Sequence, residues 1–241
     1  MDTVIRNVVS RLRVRARDQR ARLFLQRITL EPQMRVLDLG SGDGSHVSSL
    51  LAGSPIHSES IFIADIDRAA VQRGYHKFGF TPVFLEESAP RLPFPDNYFD
   101  VVFCSSVIEH VTLPKKEVWS IRSRSEFQRR AWRRQREFAG EVQRISKQFF
   151  VQTPNRYFPI ESHTWLPFIA WLPRPWLLST LSLTNRIWIK KTGADWCLLD
   201  KRQLAELFPA ATILEEKFFG FTKSVIAIQG FDSHVTKTRG C

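Results

Sequence analysis

The sequence predicts an α/β fold, in which a mostly parallel sheet is flanked by helices and ends in an antiparallel hairpin. Strand-like and helix-like patterns alternate over residues 35–152, which is typical of parallel strands joined by crossover helices. Two late strands are separated by only the four residues 220–223. A connection that short cannot cross over, so these two strands must be antiparallel. The 241 residues, of which 43% are hydrophobic, suffice for one α/β domain with a full core.

The individual elements follow from hydrophobic periodicity and capping residues. Asp67 can cap a helix that runs to about residue 78, and Asp200 opens a capping-box sequence before a helix to residue 207. A further helix is predicted near residues 45–51, after a glycine-rich turn. The predicted strands cover residues 35–39, 61–65, 81–85, 100–105, 148–152, 211–219 and 224–229.

The remaining segments complete the predicted domain organisation. Residues 1–30 are rich in arginine and predict a basic helical cap, residues 31–230 form the main domain, and residues 231–241 form a tail. Within the main domain, residues 115–147 form a basic segment whose second half has apolar residues at helical spacing. We interpret its arginine-rich face as solvated or anion-facing rather than as a nucleic-acid groove.

Residues 156–190 form an insertion that is dense in aromatic residues and prolines. The prolines and Arg174 exclude a membrane-spanning helix, which needs about 20 mostly apolar residues. We interpret the insertion as a lid over an apolar substrate. An interfacial element that docks on a membrane, and ordinary core packing, are the alternatives.

Charge and cysteine content restrict the classes of partner. The formal net charge of +11 favours anionic partners such as nucleic acid, an acidic membrane surface or a phosphorylated substrate. The three cysteines are scattered and form no Cys/His cluster, so neither a disulfide framework nor a structural zinc site is supported, and no metal is expected. The N-terminus lacks the apolar segment of a secretory signal. A cytoplasmic protein is therefore expected, with association at the inner membrane face left open.

A glycine-rich turn after the first strand carries the clearest functional signal. The strand ends in Asp38 and is followed by Gly40-Ser41-Gly42-Asp43-Gly44 and a helix, which is typical of a ligand-binding turn at the carboxyl end of a strand. Asp65 ends the second strand and can accept hydrogen bonds from both hydroxyls of a ribose. A dinucleotide-binding GxGxxG pattern would place its third glycine at Ser45. Asp43 at the mouth of the helix would also repel a phosphate, so the turn favours S-adenosylmethionine, which carries no phosphate.

Four ordered motifs resemble one family. Residues 36–44 resemble motif I of the class I S-adenosylmethionine-dependent methyltransferases, and residues 63–67 resemble the ribose-binding end of their second strand. Residues 92–102 resemble the family's LPFPDxSFDVV segment, and residues 107–111 resemble the VLEHV sequence that follows it. The chain is similar to the methyltransferases of type 11. This resemblance implies a Rossmann-like seven-stranded sheet of order 3-2-1-4-5-7-6, with strand 7 antiparallel.

The resemblance also implies a set of residues for the cofactor. Asp38 would lie near the methionine ammonium, Ile66 would cover one face of the adenine, and Ser105 would line the methionine side. At the position where the family usually has an aspartate for the adenine amino group, this chain has Ser88. Either Glu87 replaces that aspartate, or the Ser88 hydroxyl and the Ala89 backbone do so. The predicted cofactor-binding residues are Asp38, Gly40, Ser41, Gly42, Asp65, Ile66, Ser88, Ala89 and Ser105.

Two histidines are candidates for the catalytic base. Methyl transfer from a sulfonium is an in-line displacement, and a hydroxyl acceptor must also lose its proton. His110 follows the fourth strand beside Glu109, and His163 follows the fifth strand, so both lie where strand-end loops gather. Glu109 and His110 could instead only orient the start of a helix, and a well-positioned acceptor could need no base.

The acceptor is the least constrained part of the interpretation. The order of motifs from residue 152 onward resembles bacterial methyltransferases of cell-surface glycan or lipid-linked pathways, and ubiquinone-type O-methyltransferases share the region of residues 109–111. The resemblance implies O-methylation of a small-molecule or lipid- or glycan-linked acceptor, with peripheral contact with an anionic membrane. An RNA methyltransferase is the alternative, although Thr153-Pro154-Asn155 replaces the NPPY-type tetrad of base-amino methyltransferases. A non-catalytic protein that binds the cofactor or a membrane is the other alternative.

Overall fold

The computed structural model describes residues 18–40, 42–87, 89, 91–187 and 190–230, which form one seven-stranded sheet flanked by helices. The strands are β1 (Val36–Leu39), β2 (Ile61–Asp65), β3 (Thr81–Phe84), β4 (Phe99–Ser105), β5 (Ser146–Pro154), β6 (Thr212–Phe218) and β7 (Phe221–Gln229). The helices are α1 (described over residues 18–27), α2 (Ser45–Leu50), α3 (Arg68–Phe78), α4 (Arg124–Ile145), α5 (Arg174–Ile187) and α6 (Lys201–Leu207).

The strand order is β3-β2-β1-β4-β5-β7-β6, which confirms the order predicted from the resemblance. β7 is antiparallel to both of its neighbours, and the other neighbouring pairs are parallel. In this order β1 and β4 lie side by side at the centre of the sheet. The loops after β1 and β4 therefore open at the same edge, at the point where the chain reverses its direction of winding.

The final hairpin is tighter than the sequence predicts. β7 begins at Phe221 rather than at residue 224, so only Phe219 and Gly220 lie between the two strands. Both residues have positive φ, 47° and 81°, which is the conformation of a two-residue hairpin turn. Of the four residues predicted for the loop, Thr222 pairs with Lys217 of β6, and Lys223 belongs to β7 at the irregularity of register between Glu216 and Lys217.

The sheet has an apolar layer on each face, because successive residues of a strand point to opposite sides. On one face, Leu37 and Leu39 of β1 belong to a core that includes residues of α4 and α6. On the other face, Val36 belongs to a core that includes residues of α1, α2 and α3. From α1, the fully buried Phe24 contacts the rings of Phe103 and Phe150 edge-on at 5.6 and 5.7 Å. Residues 1–17 of the predicted basic cap and the predicted tail 231–241 lie outside the described residues.

The predicted amphipathic helix of the basic segment is α4, which begins after the N-cap Ser123. Its apolar side enters the core through Ala131, Val142 and Ile145. Several of its arginines bind other parts of the protein: Arg130 contacts Glu117 at 2.7 Å, and Arg136 contacts Glu206 at 3.1 Å. These contacts neutralise part of the basic face within the fold.

The aromatic insertion contains α5, whose two faces differ. Leu177, Leu178 and Leu181 pack into a small core of their own. Arg174 anchors the start of the helix by donating hydrogen bonds to the carbonyl oxygens of Ile121 (2.7 Å) and Val118. The opposite face exposes Trp176, Leu183 and Ile187, which are 70%, 60% and 77% accessible. Among the described helices, none is both long and apolar enough to span a bilayer. Trp188 of this insertion lies outside the described residues.

Candidate active site

The loop after β1 adopts a conformation that requires glycine at Gly40. Its φ is +83°, and a Cβ atom at this position would lie 2.5 Å from Val107 Cγ1. Its N–H donates to the carbonyl oxygen of Ala64 at 2.7 Å, which ties the loop to the end of β2. The first glycine of the motif is therefore fixed by packing between two loops, as well as by its backbone conformation.

Asp65 holds the same loop from the end of β2. One carboxylate oxygen accepts the N–H of Gly42 at 2.8 Å, and the other accepts the N–H of Asp67 at 2.9 Å. Each carboxylate oxygen has a further lone pair, so both remain able to accept a ligand hydroxyl. Asp65 thus has a structural role that the sequence does not indicate, in addition to the ribose contact predicted for it.

The mouth of α2 carries a negative charge at Asp43. Burial alone would raise the pKa of this carboxyl, but hydrogen bonds from Ser45 and the nearby Lys77 and Arg73 lower it below its usual value. One of these bonds is donated by the Ser45 N–H at 3.0 Å. An ionised carboxylate at the start of the helix disfavours a phosphate, as the sequence predicts.

A cavity of about 660 Å³ opens beside this loop. Of the residues predicted to bind the cofactor, Gly40, Asp65, Ile66 and Ala89 line it, and Ile66 is 42% exposed. Asp38 is fully buried behind the loop, and Gly42 contributes its N–H to Asp65 rather than lining the wall. Ser41 and Ser88 lie outside the described residues. Glu87, the named alternative to Ser88, also lines the cavity.

Ser105, which the resemblance implies on the methionine side, does not line the cavity. Its hydroxyl donates to Gln152 Oε1 at 2.7 Å and accepts from Arg20 of α1 at 3.1 Å. The neighbouring Ser106, whose φ is 61°, lies on the cavity wall instead. The polarity of residues 105 and 106 is visible in the sequence, but the positive φ that turns Ser106 toward the cavity is not.

His110 reaches the cavity with a partner that the sequence analysis does not identify. Its Nδ1 lies 3.2 Å from Asp195 Oδ2, and both residues line the cavity. Burial alone would lower the pKa of His110, but the hydrogen bond to Asp195 and the charges of Glu109 and Glu161 raise it above its usual value. The hydroxyl of Thr112 donates to the carbonyl oxygen of Asp195 at 2.6 Å and fixes this segment. Asp195 is 85 residues from His110 and has no motif around it, so no local pattern indicates it.

His163 lies behind His110 and does not line the cavity. The two rings meet edge-on with their centroids 4.6 Å apart. His163 Nδ1 contacts Glu161 Oε1 at 2.5 Å, and its Nε2 lies 3.8 Å from Oε1 of the fully buried Glu109. Burial alone would raise the pKa of Glu161, but its hydrogen bonds and ion pair with His163 lower it below the usual value. The structure therefore brings His110 and His163 together with the carboxylates of Glu109, Glu161 and Asp195.

Comparison with known proteins matches the central part of this arrangement. The family described as "Methyltransferase domain" (Methyltransf_11) matches residues 37–122. The ubiquinone/menaquinone biosynthesis C-methyltransferase UbiE of Vibrio cholerae serotype O1 is 33% identical over 97 residues, which is 37% of this chain and 36% of the relative. UbiE of Yersinia pestis is 33% identical over 94 residues, which is 36% of each chain. The match thus spans about a third of the length of these relatives.

Two solved structures have the same fold. A SAM-dependent methyltransferase from Aquifex aeolicus has a TM-score of 0.50 and 14% identity, and the similarity covers 88% of each chain. The PH0226 protein from Pyrococcus horikoshii OT3 has a TM-score of 0.51 and 15% identity, over 91% of this chain and 89% of the other. At these identities the likeness concerns the fold alone.

Proposed function

We propose that the chain is a class I, S-adenosylmethionine-dependent methyltransferase and that it methylates an oxygen atom of a small-molecule or lipid- or glycan-linked acceptor. The observation that carries the proposal is the loop at Gly40, which is fastened by Asp65 and borders a cavity of about 660 Å³. The residues present fit the cofactor. Gly40 lines the cavity without a side chain, Ile66 offers an exposed apolar surface, and Asp43 favours a ligand without phosphate.

The chemistry that the site must support is a displacement at carbon. S-adenosylmethionine supplies a methyl group on a positively charged sulfur, which takes the electron pair of the breaking carbon–sulfur bond and becomes neutral. The acceptor oxygen forms the new bond to the methyl carbon and loses its proton. The protein must align the reacting groups, exclude water and handle this proton. We propose that His110, on the cavity wall, serves the last task together with His163, whose ring contacts it from behind.

The acceptor atom distinguishes this proposal from the activity named for the relatives. UbiE is named a C-methyltransferase, and the chain matches only about a third of it. We favour an oxygen acceptor because a polar cluster containing His110 and Asp195 borders the cavity, where a hydroxyl would find partners. Mass spectrometry and NMR of the methylated product separate a methyl ether or ester from a carbon-bound methyl group, and a carbon-bound methyl would refute the oxygen acceptor.

The exposed face of α5 supports a lipid-linked acceptor. Trp176, Leu183 and Ile187 recur at helical spacing and are each at least 60% exposed. The last turn of the helix also carries the basic residue Arg186. Such a face can enter the interface of a membrane, and the net charge of +11 favours an anionic one. We propose peripheral contact with an anionic membrane through this face. By contrast, the arginines Arg130, Arg136 and Arg144 of α4 have carboxylate partners within the protein, which weakens the case for RNA.

Vesicle flotation tests the membrane contact. The chain should float with phosphatidylglycerol-containing vesicles, and the double variant Leu183→Ser/Ile187→Ser should lose most of this binding. The matched control is Leu25→Ser/Tyr75→Ser, which changes exposed apolar residues on α1 and α3. Equal flotation of both double variants would refute the role of α5. A steep, salt-dependent gel shift with RNA, without flotation, would favour the RNA alternative.

Calorimetry with S-adenosylmethionine and its demethylated product tests the cofactor. Both should bind, and Asp65→Ala should weaken binding by about 30-fold or more, because it removes a ligand acceptor and releases the Gly42 N–H. The matched control is Asp18→Ala, which changes an exposed carboxylate on α1, outside the cavity. Absence of binding, or equal binding by the two variants, would refute the cofactor site. A labelled methyl group should then enter the lipid or small-molecule fraction of a lysate. Cofactor binding without any transfer would favour the non-catalytic alternative.

A further inference from the structure

Three potential metal ligands converge from two separate loops behind the cavity. Glu109 and His110 follow β4, whereas His163 lies in the insertion after β5. One ligand atom of each residue lies within 4.8 Å of the other two. Zinc-to-ligand bonds of about 2.0–2.2 Å place ligand atoms about 3–3.5 Å apart, so small side-chain adjustments of about 1 Å would close the site.

Glu109 supplies the independent indication of a ligand. The residue is fully buried, and its Oε2 accepts the hydroxyl of Thr153 at 2.9 Å. Its Oε1 has no hydrogen-bond partner among the described residues, and it faces His163 Nε2 at 3.8 Å, which is too long for a hydrogen bond. A buried charged oxygen without a donor is costly, so a cation at this position would satisfy it.

The two imidazoles are oriented in the way that metal ligands usually are. His110 Nδ1 faces Asp195 at 3.2 Å, and His163 Nδ1 faces Glu161 at 2.5 Å. A carboxylate that accepts from one ring nitrogen fixes the tautomer and leaves the lone pair of the other nitrogen for a metal. Glu161 is itself held by the N–H groups of His163 (2.8 Å) and Thr164 (2.7 Å). The His163 ring also stacks on Trp196 at 5.7 Å, so its orientation is well defined.

The charge of the cluster also favours a cation. Glu109, Glu161 and Asp195 bring three carboxylates to two imidazoles, and imidazoles are neutral when they ligate a metal. A divalent ion would offset two of these three negative charges. Imidazole nitrogen with one carboxylate suits first-row transition metals, whereas Mg²⁺ and Ca²⁺ prefer sites made of oxygen alone.

We propose that Glu109, His110 and His163 form a binding site for a divalent transition-metal ion such as Zn²⁺ or Mn²⁺. Three protein ligands leave a coordination position open, which is the pattern of catalytic rather than structural metal sites. His110 lies on the cavity wall, so an acceptor oxygen in the cavity could take this position. In that arrangement the two histidines would act as metal ligands rather than as bases. The cation would make the acceptor hydroxyl more acidic, and the proton would pass to water or to the carboxylate of Asp195, which also lines the cavity. The site itself depends only on the residues of the cluster and does not rest on the proposed activity.

Metal titration of the full, untagged chain tests the site. After treatment with a chelator, the protein should bind one equivalent of Zn²⁺ by calorimetry, with a Kd in the micromolar range or tighter, and elemental analysis should confirm the ratio. Mn²⁺ should bind more weakly, in keeping with the usual affinity order, and Mg²⁺ should not compete. Replacement by Co²⁺ should give an absorption spectrum typical of four or five nitrogen and oxygen ligands.

Variants distinguish Zn²⁺ binding at this cluster from Zn²⁺ binding to exposed histidines. His163→Ala and Glu109→Gln should each weaken Zn²⁺ binding by about 100-fold or more, whereas Glu161→Gln should weaken it by about 10-fold to 100-fold through the orientation of His163. The matched control, His76→Ala, removes an exposed histidine of α3 and should change nothing. Circular dichroism of every variant reports whether it folds, and its cofactor affinity is measured separately.

Two results would overturn the proposal. One is that wild type binds no Zn²⁺ or Mn²⁺ beyond what a folded His163→Ala protein binds. The other is that Glu161→Gln and His76→Ala lower the affinity equally. The cofactor and the metal are titrated independently, so failure of the metal site can be told apart from failure of the proposed function. If the chain binds Zn²⁺ but no S-adenosylmethionine, the metal site stands and the proposed function is refuted.

Discussion

The two sides of the cavity are built from different kinds of interaction. On the cofactor side, the loop at Gly40–Gly42 and the end of β2 are joined largely through backbone N–H groups, such as those of Gly40, Gly42 and Asp67. The other side, formed by His110 and Asp195, is where we propose that the acceptor binds, and we call it the acceptor side. Here side chains contact one another across long sequence separations, as His110 and Asp195 do across 85 residues. The first side depends on short local patterns, whereas the second depends on how distant loops meet.

This difference predicts how each side responds to substitution. A change in the cofactor side should alter the loop conformation and therefore cofactor affinity. A change in the acceptor side should leave the loop intact and alter turnover. The predictions below test this separation, beginning with the largest expected effect.

Gly40→Ala should weaken S-adenosylmethionine binding by more than about 100-fold, which corresponds to about 3 kcal/mol. The added Cβ would lie 2.5 Å from Val107 Cγ1 at a φ of +83°, so the loop must move. Calorimetry measures the affinity, and circular dichroism reports whether the chain is folded. The control is Gly53→Ala, which has a similar φ of +78° but no atom within 4 Å of the added Cβ, and should bind the cofactor normally.

Adding Val107→Ala to Gly40→Ala gives a second control. It removes the two methyl groups that lie nearest to the added Cβ, so part of the cofactor affinity should return. If Gly53→Ala weakens the cofactor as much as Gly40→Ala does, backbone strain rather than the contact with Val107 explains the effect.

Asp195→Asn should reduce kcat by about 10-fold to 100-fold while the affinity for S-adenosylmethionine changes less than about 2-fold. The amide keeps the size of the side chain but weakens the hydrogen bond that orients His110. Asp195 is therefore a positioning residue in this interpretation. Asp195→Glu should recover part of kcat because it restores the carboxylate. An equal loss of kcat and cofactor affinity would show that the two sides are not separable.

The sequence signals for the cofactor side are local. The capping box at Asp200 and the motif at Gly40 follow from spacing within short segments, and the strand order follows from the family resemblance that such motifs carry. The structure confirms the strand order and the capping box. Asp195 could not be found in this way, because its function depends on contact with His110. Ser106 escapes the sequence analysis for a different reason. The resemblance points to Ser105, but a positive φ at the next residue places Ser106 on the wall instead.

Arg144→Ala should lower the free energy of unfolding by about 2–3 kcal/mol and the melting temperature by about 5–10 °C. This arginine of α4 binds Glu141 at 2.7 Å and Asp96 at 2.8 Å, and donates to the carbonyl oxygen of Phe94 at 2.7 Å. It thereby fixes the turn that follows Leu92, on the cavity wall. The cofactor side thus also depends on one distant residue.

The matched control for Arg144 lies on the same helix. Arg133 is 77% exposed, and it contacts Glu137 at 3.8 Å within the helix. Arg133→Ala should therefore change stability by less than about 0.5 kcal/mol. If thermal melts show the same shift for both variants, loss of helix charge, rather than release of the turn, accounts for the Arg144 result.

Phe219→Asn should raise the free energy of unfolding by about 0.5–1 kcal/mol and the melting temperature by about 1–3 °C, with no change in cofactor affinity. Phe219 is 87% exposed and has a φ of 47°, a conformation that costs most residues energy but suits asparagine before glycine in a two-residue hairpin turn. The substitution also removes the edge contact with the Phe218 ring, and this loss lowers the free energy of unfolding. Phe219→Ala removes the same ring contact without the preference of asparagine for this conformation, so it should not stabilise the protein. If the two variants melt at the same temperature, the backbone of this turn is not strained, and local conformational preference matters less at this hairpin than it does in the loop at Gly40.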